Sequence, residues 1–474
     1  MNSHSNPYKK RFCSDLSIDD LQDIATHFQG FLTMYRPYFS TTTGNMTRHA
    51  NAYLAGLMMK APRKNMERME EYVAGSNYES MQQFLTDSPW EDQILQQRLA
   101  ADVSDQIGGV DSALCIDESA FGKKGKQSVG VKRQWSGRLG KTENCQVGTF
   151  SSLVQGTHGA LIGKRLYLPH EWVTDEARCI QAGIPEASRV FKTKIELAIE
   201  LVDEAIASGV VFGYVCGDGF YGHTPEFLRA LDSRKLTFMM DVHKNQHVYY
   251  ENPKPFLPRR IDNLVSEARV RQTKVPSISA ETIAFEITAK DWETCTIRET
   301  TKGTLSVKVW RKQVWLWDGK EKHAHKWWLV ITRNVKDNET KFFVSNAPET
   351  ESIESIARKH AQRFWIERCF QDAKTSVGMA DYQARKWNSW HHHMCMVSMA
   401  MLFVLKVKVA SQYEKSKDCP LSYNDIVEML NFYLPREDNT PEALLKTIIK
   451  RHKKRWESEQ AAYRKQWEDD GGEI

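Results

Sequence analysis

Two aspartates of this 474-residue chain stand at positions where a carboxylate could leave a buried strand. Asp117 and Asp218 each come just after a short apolar run, the second of which is 210–216. Such a carboxylate can reach a cleft while its backbone stays in the core, and Mg²⁺ and Mn²⁺ prefer carboxylate oxygens. An isolated aspartate at a strand end is more often a turn residue or a helix cap. Glu118 and Asp241 are competing acids, although a continuing strand would turn Glu118 away from the face of its neighbour.

A long helix is predicted from about Ser352 to Thr375, and four of its polar residues share one face: His360, Arg363, Glu367 and Lys374. Their offsets of 3, 7 and 14 residues from the first keep them within a sector of about 60° at roughly 100° per residue. A solvated charged face with an i, i+4 ion pair is the ordinary explanation. Apolar residues crowd the same helix, however, so part of it is buried and we expect the polar face to lie on a cleft.

The pattern His360-x-x-Arg363-x-x-x-Glu367-x-x-x-x-x-x-Lys374 is similar to the Tyr-Arg-Glu-Lys signature of bacterial insertion-sequence transposases of the DDE class, the IS-four-like group. The segments CIDESAFGKKGKQSVGVKRQWSGRLGKTENCQVG and VCGDGFYG resemble the two aspartate blocks of that superfamily and are closest to its IS-seven-hundred-and-one branch. The resemblance covers about residues 30–405.

The resemblance implies an α/β fold with a ribonuclease-H-like catalytic core and a mainly β insertion, flanked by helical N- and C-terminal regions. It implies that Asp117, Asp218 and Glu367 are the catalytic and metal-binding triad. The triad would hold two Mg²⁺ ions, for which Mn²⁺ can substitute. The resemblance also implies that Arg363 and Lys374 contact DNA near the active site.

Other basic residues are candidates for DNA contact as well. The segment after the first aspartate is dense in lysine and arginine, which suits a DNA backbone, although a solvated β turn would also explain it. His360 departs from the family pattern because it stands in the tyrosine position; an imidazole can bond a phosphate but titrates near neutral pH. The residues expected to contact DNA are Lys123, Lys124, Lys126, Arg133, His360, Arg363 and Lys374.

Changes in hydrophobic period divide the chain into five regions. We expect a helical DNA-binding domain at 1–106, the first part of the catalytic core at 107–245, a separate and mainly β insertion at 246–345, a second core part with the glutamate helix at 346–405, and a helical region at 406–474. Two short helices around Gly75 resemble a helix-turn-helix, although a packing bundle would give the same pattern. The basic stretch 446–455 is expected to contribute to DNA binding.

Composition excludes several other classes of protein. The nine cysteines lack the spacing of a zinc knuckle or redox pair and are expected to be reduced, mostly buried thiols. No stretch approaches the roughly 20 uninterrupted apolar residues of a membrane span, and the first residues, MNSHSNPYKKRF, lack the apolar run of a secretory signal. We therefore expect a cytoplasmic protein with no membrane contact.

His391, His392 and His393 cannot all face one ion on a helix, so we interpret them as ordinary helix surface beside a core face.

The predicted function is cut-and-paste DNA transposition. The protein would bind the ends of a mobile element, cleave DNA by two-metal hydrolysis and join the 3′ ends to target DNA, as a homodimer when bound to double-stranded DNA. Two alternatives stay open: a structure-selective nuclease of the same fold that lacks strand joining, and an inactive, domesticated DNA-binding protein. The intact triad argues against the inactive alternative.

Overall fold

The computed structural model describes residues 18–42, 44–137, 140–257, 270–272, 274–300, 303–410, 421–436 and 440–469. The N-terminal residues that were tested for a secretory signal lie outside the described residues, as do Cys13 and Cys419. The seven described cysteines are all buried free thiols, which confirms the expectation for these seven.

An N-terminal group of helices precedes the large sheet. It comprises α1 (Ile18–Tyr35), α2 (Thr47–Met58), α3 (Met66–Tyr72), α4 (Tyr78–Thr86) and α5 (Asp92–Ile107), with the short strands β1 (Ser40–Thr41) and β2 (Gly44–Asn45) between α1 and α2. The first half of the sheet region follows: β3 (Gly109–Gly122), β4 (Lys132–Ser136), β5 (Lys141–Gln155), β6 (His158–Leu166), α6 (His170–Val173), α7 (Glu176–Gln181), α8 (Lys194–Ala207), β7 (Phe212–Gly217), α9 (Gly219–Gly222), α10 (Pro225–Ser233) and β8 (Phe238–Val242).

The second half begins with β9 (His247–Val248), β10 (Ile278–Ser279) and α11 (Ala280–Glu286). Four longer strands follow: β11 (Glu293–Thr300), β12 (Gly303–Leu316), β13 (His325–Asn334) and β14 (Thr340–Ser345). The remaining elements are helices: α12 (Ile353–Ala361), α13 (Phe364–Ser376), α14 (Trp387–Val409), α15 (Tyr423–Tyr433) and α16 (Pro441–Asp469).

Five strands form the centre of the sheet, in the order β8-β7-β3-β5-β6. Strand β3 is parallel to β7, which is parallel to β8, whereas β5 runs antiparallel between β3 and β6. Helices cover both faces, so β3 is buried as a continuous apolar run at residues 113–116. This arrangement confirms the predicted α/β, ribonuclease-H-like core with helical regions before and after it.

The β insertion differs from the sequence expectation in how it is attached. The sequence predicts a separate β unit, but β14 pairs antiparallel with β8 and places β11 to β14 in the same large sheet as the core strands. The physical reason is the edge of β8, whose N–H and C=O groups would otherwise lack strand partners. The insertion therefore extends the sheet that carries the aspartates.

The predicted single helix from Ser352 to Thr375 is two helices in the structure. Helices α12 and α13 are separated at Gln362 and Arg363, where the amide of Arg363 donates to the carbonyl of His360 in a tight i to i+3 turn. The polar residues that share one helical face in the sequence are thus divided between two helices.

Helix α14 is the central helix of the core. It has the length and hydropathy of a membrane span, but 83% of its most apolar window is buried inside the protein, as in a core helix. The interpretation of the three histidines as helix surface is wrong for His392 and His393, which are buried, whereas His391 is partly exposed. The N-terminal helices α2, α4 and α5 pack on α14 and cover it.

Candidate active site

The parallel pairing of β3 with β7 places the two aspartates beside each other. Ile116 lies opposite Gly217 in this pairing, so Asp117 and Asp218 are the next residues of the two neighbouring strands. Asp117 accepts a hydrogen bond from the amide of Glu118 at 2.7 Å, and Asp218 caps α9 by accepting from the amide of Phe220 at 3.0 Å. Both side chains are therefore fixed by the backbone around them.

The two aspartates are poorly solvated and repel each other. Burial, followed by the negative charge of Asp218, raises the pKa of Asp117 to about 8. Burial also raises the pKa of Asp218. Two close carboxylates with raised pKa values would be stabilised in their ionised form by a cation.

Asp241 on β8 is the third acid that the sheet contributes. Its carboxylate is hydrogen-bonded to Nε2 of His360 and forms an ion pair with Nε of Arg363 at 2.8 Å. Burial alone would raise the pKa of Asp241, but His360 and Arg363 lower it below its ordinary value. His360 is itself buried, with its ring stacked on Phe343 at 3.8 Å. The structure thus places His360 as a partner of Asp241, with little surface left for a phosphate.

Arg363 stands among four carboxylates. Besides Asp241, its guanidinium contacts Glu367 through Nη2 at 3.2 Å. Burial alone would lower the pKa of Arg363, but it is raised by the charges of Asp241, Glu367, Asp117 and Asp218, in that order. Arg363 therefore stays charged and joins the acids of the sheet to the glutamate of the helix.

Glu367 lies at the start of α13, and its side chain is about half exposed. It contacts Arg363, and through this residue it is linked to the two aspartates. Within the ranges that the structure describes, no three Asp, Glu, His or Cys side chains are grouped closely enough to hold a metal ion. The donors are nevertheless the hard oxygens that suit Mg²⁺, and the raised pKa of Asp117 marks a place where a cation would relieve repulsion.

The basic residues after β3 divide into two kinds. Lys123 donates to the carbonyl of Tyr382 at 3.0 Å and lies over its ring, and burial lowers the pKa of Lys123 to about 8. Lys124, Lys126 and Arg133 are exposed. Lys123 is thus bound within the fold, while the other three can reach a phosphate.

Lys374 lies near the same end of β3. Its Nζ is 5.7 Å from the centre of the Phe121 ring and 5.9 Å from that of Phe370. The structure therefore places Lys374 on the side of the basic segment rather than next to Asp241.

Sequence reasoning missed two contacts of the site. Lys194, at the start of α8, forms an ion pair with Glu118 at 3.1 Å, and burial raises the pKa of Glu118. The second is the contact of Asp241 with Arg363 and His360. Its signal was available, since Asp241 lies on a strand predicted to follow that of Asp218, and adjacent parallel strands bring such residues to one sheet edge.

Helices α3 and α4, which resemble a helix-turn-helix in the sequence, contact other helices of the fold. Met81, Phe84 and Leu85 of α4 are buried, and α4 packs on α14. Glu70 and Glu71 of α3 form ion pairs with α16 through three residues of the basic stretch: Lys450, Arg451 and Lys454. These three cations therefore face the protein.

With this geometry in place, the class of the protein follows from comparison with known families. The model of the DDE superfamily endonuclease family matches residues 37–304, more than half of the chain, so the chain belongs to this family. The matched part contains Asp117 and Asp218, and Glu367 lies beyond it. The predicted recognition as a DDE-type enzyme is confirmed.

The chain is similar to a probable transposase for insertion sequence element IS701 of Microchaete diplosiphon. The two proteins are 24% identical over 331 residues, which are 69% of this chain and 74% of the relative. Family and relative together confirm the predicted transposase of this branch. Among solved structures, the chain is similar to a piggyBac transposase in a synaptic complex with hairpin DNA, with 12% identity, coverage of 88% of this chain and 78% of that chain, and a TM-score of 0.37.

Proposed function

We propose that this transposase binds the ends of a mobile element, cleaves DNA with two divalent metal ions and joins the 3′ ends to target DNA in a cut-and-paste reaction. One observation carries the proposal: Asp117 and Asp218 lie side by side where the parallel pairing of β3 with β7 ends, are partly buried, and have raised pKa values. Such a pair is costly to keep in a fold unless it binds a cation.

Asp117, Asp218 and Glu367 are the residues that would hold the metals, Mg²⁺ or Mn²⁺. When bound, two ions would activate a water or a 3′-hydroxyl and stabilise the leaving oxygen of a phosphodiester. The strands fix the two aspartates, since each accepts a hydrogen bond from nearby backbone. Glu367 is half exposed on a helix and is the acid with freedom to adjust.

Arg363 has a second role in the proposal, as a phosphate anchor. A cation at Glu367 would compete with the Arg363 guanidinium for that carboxylate, while Asp241 would keep its hold on Nε. The Nη groups could then bind a phosphate oxygen next to the aspartates. The planar fork of arginine suits this task better than the point charge of lysine.

Double-stranded DNA, as transposon end and as target, is the proposed partner. Lys124, Lys126 and Arg133 would contact its backbone, with Lys374 on the same side. We further propose that the protein acts as a homodimer on DNA and that its five regions have the limits expected from the sequence. We also propose that it is a bacterial cytoplasmic protein that associates with the nucleoid when bound to DNA. The structure-selective nuclease is the second candidate, because the same acids would hydrolyse DNA without joining it.

A cleavage and joining assay tests the proposal. Labelled element ends are incubated with a supercoiled target and the protein, with Mg²⁺, with Mn²⁺ or with chelator. We expect cleaved ends and joined products with either metal and neither product in chelator. Cleavage without joined product would favour the nuclease, and cleavage in chelator would overturn the metal mechanism.

A further inference from the structure

The last described helix, α16, carries a row of large apolar side chains on its outer face. More than half of each side chain is exposed, and at 100° per residue the row falls within a sector of about 40°. Its members, called the α16 stripe below, are Leu445, Ile449, Trp456, Tyr463 and Trp467. An exposed row of this kind, including two tryptophans, is typical of a surface that binds another protein.

The opposite side of α16 attaches the helix to the rest of the protein. Lys450 and Lys454 contact Glu70, and Arg451 contacts Glu71 at 2.6 Å. Glu71 lies in a second ion pair with Arg68 on its own helix, which fixes the acceptor. The helix is therefore oriented with its polar side inward and its apolar side outward.

The order of residues in the α16 stripe is symmetric about Trp456. Leu445 and Trp467 lie 11 residues before and after it, and Ile449 and Tyr463 lie 7 residues before and after it. We propose that the stripe is a homodimer interface in which two copies of α16 pack antiparallel, with the twofold axis at Trp456. Each aliphatic side chain would then pack on an aromatic one of the partner, and each copy would present the same patch.

The charges beside the stripe favour the antiparallel direction. In that arrangement Lys453 lies within about two residues, or ~3 Å along the axis, of the partner's Glu457. On the other flank Arg455 has the same relation to the partner's Glu459. A parallel pair would instead bring lysine beside arginine and glutamate beside glutamate, which is unfavourable.

Charges are less complementary farther from the twofold axis, on the side of the stripe that carries Lys453 and Glu457. There Lys446 would approach the partner's Arg464, and both side chains are exposed and can turn to solvent. The twofold axis repeats every pair. The dimer would therefore contain four attractive ion pairs near its centre and two repulsive contacts near its ends.

The stripe is large enough for a reversible dimer. From Leu445 to Trp467 the helix is ~33 Å long at 1.5 Å per residue. The exposed parts of five large side chains amount to roughly 500 Å² per copy, or roughly 1,000 Å² for the pair, which is near the lower limit of specific interfaces. Through this interface the proposed homodimer would form. Its formation would require neither DNA, nor metal, nor catalysis.

Sedimentation of the full chain without DNA tests this interface directly. We expect a monomer–dimer equilibrium at protein concentrations of roughly 0.5–50 µM. Trp456→Asp should weaken the dimer at least ~100-fold, because it places two carboxylates at the apolar centre. Phe285→Asp is the matched control, since this phenylalanine is exposed on α11 and is expected to leave the equilibrium unchanged. A wild-type chain that stays monomeric throughout this range would overturn the proposal.

Two double variants that conserve net charge test the direction. Lys453→Glu with Glu459→Lys puts like charges together on both flanks of an antiparallel pair and should weaken the dimer ~10-fold or more. Lys453→Glu with Glu457→Lys only exchanges the members of a facing pair and should dimerise like the wild type. In a parallel pair the first variant would dimerise more tightly, and that result would overturn the antiparallel assignment. Circular dichroism of each variant checks that α16 stays helical.

Discussion

The acids of the candidate active site belong to two different environments. The floor of the site consists of Asp117 on β3, Asp241 on β8 and Asp218 directly after β7, and all three are partly buried. The rim consists of exposed or half-exposed groups on helix α13, on the loop after β3 and on strand β4: Glu367, Lys124, Lys126 and Arg133. Arg363 connects the two, because it contacts Asp241 below and Glu367 above.

The difference indicates that the floor and the rim have different roles in this site. In the floor, backbone hydrogen bonds hold Asp117 and Asp218, and the raised pKa of Asp117 indicates that these two carboxylates repel each other. Such a place can bind a cation without first reorganising. The rim is solvated and adjustable, so its groups can follow a metal or a DNA strand. Substitutions in the floor should therefore change both stability and cleavage, and substitutions in the rim should change cleavage or binding alone.

The largest effect is expected from Asp117→Asn. If Asp117 is a metal ligand as proposed, its loss should lower cleavage at least ~1,000-fold, because two metal ions supply several kcal/mol to such a transition state. DNA binding should change little, since the substitution removes no basic residue. A single-turnover cleavage assay beside a binding assay measures both. Asp218→Asn should behave alike, and wild-type cleavage by either variant would remove that residue from the triad.

The same substitution should stabilise the metal-free protein. The pKa of Asp117 is raised from 3.8 to about 8, so between these values the folded chain holds a proton that the unfolded chain has released. Wild-type stability in chelator should therefore fall as pH rises from about 4 to 8. Asp117→Asn removes this dependence. It should raise Tm at pH 7.5 and increase the free energy of unfolding by up to about 5 kcal/mol. Equal Tm values for the two proteins would show that the floor is not strained.

Glu367→Gln, in the rim, should separate the two effects. We expect cleavage to fall ~100-fold or more through loss of a ligand. Stability in chelator should change by less than about 1 kcal/mol, because the side chain is half exposed and its ion pair with Arg363 is accessible to solvent. A Tm shift as large as that of the aspartate variants would contradict the division into floor and rim.

Arg363→Lys tests the connection between floor and rim. Lysine keeps the charge but cannot hold Asp241 and a phosphate at the same time through a planar fork. Cleavage at saturating enzyme should fall ~10- to 100-fold, since a misplaced phosphate reduces the rate even when the complex forms. Binding of element ends should stay within ~3-fold of wild type. If cleavage is unchanged, the arginine only pairs with Glu367 and is no anchor.

That the two sheet aspartates lie next to each other could be predicted for a local reason. Their apolar strands are visible in the sequence, and parallel pairing brings the residues after these runs together, as Ile116 opposite Gly217 shows. The break at Gln362 was not predictable from helix signals, because neither proline nor glycine occurs there. The order of the strands could have placed Asp241 at the same sheet edge, but its contact with Arg363 also requires the position of α13, which no local pattern gives.

Burial of polar residues was the main source of error. His392 and His393 are covered by helices from the N-terminal region, some 300 residues away in sequence, and their ring nitrogens are paired with groups such as the carbonyl of Leu85 and the hydroxyl of Tyr53. A run of three histidines carries no sign of such partners. The insertion strands were likewise recognised as β, but their pairing with β8 depends on an open sheet edge.

The smallest effects are expected among the basic residues that follow β3, and they compare a buried lysine with exposed ones. Lys124→Ala and Lys126→Ala should each reduce DNA affinity a few-fold and lower the slope of log affinity against log salt by about 0.9 in magnitude, as expected for one lost phosphate contact on B-DNA.

Lys123→Met should leave both quantities unchanged, although this residue stands in the same segment. Its ammonium donates to the carbonyl of Tyr382 and lies over the ring, so it is held inside the fold rather than presented to DNA. Methionine keeps the length and apolar character of the side chain, and a modest loss of Tm is expected from the missing hydrogen bond. Titrations at several salt concentrations with the three variants decide the matter, because a loss of slope in Lys123→Met equal to that of its neighbours would show that this lysine leaves Tyr382 to bind DNA.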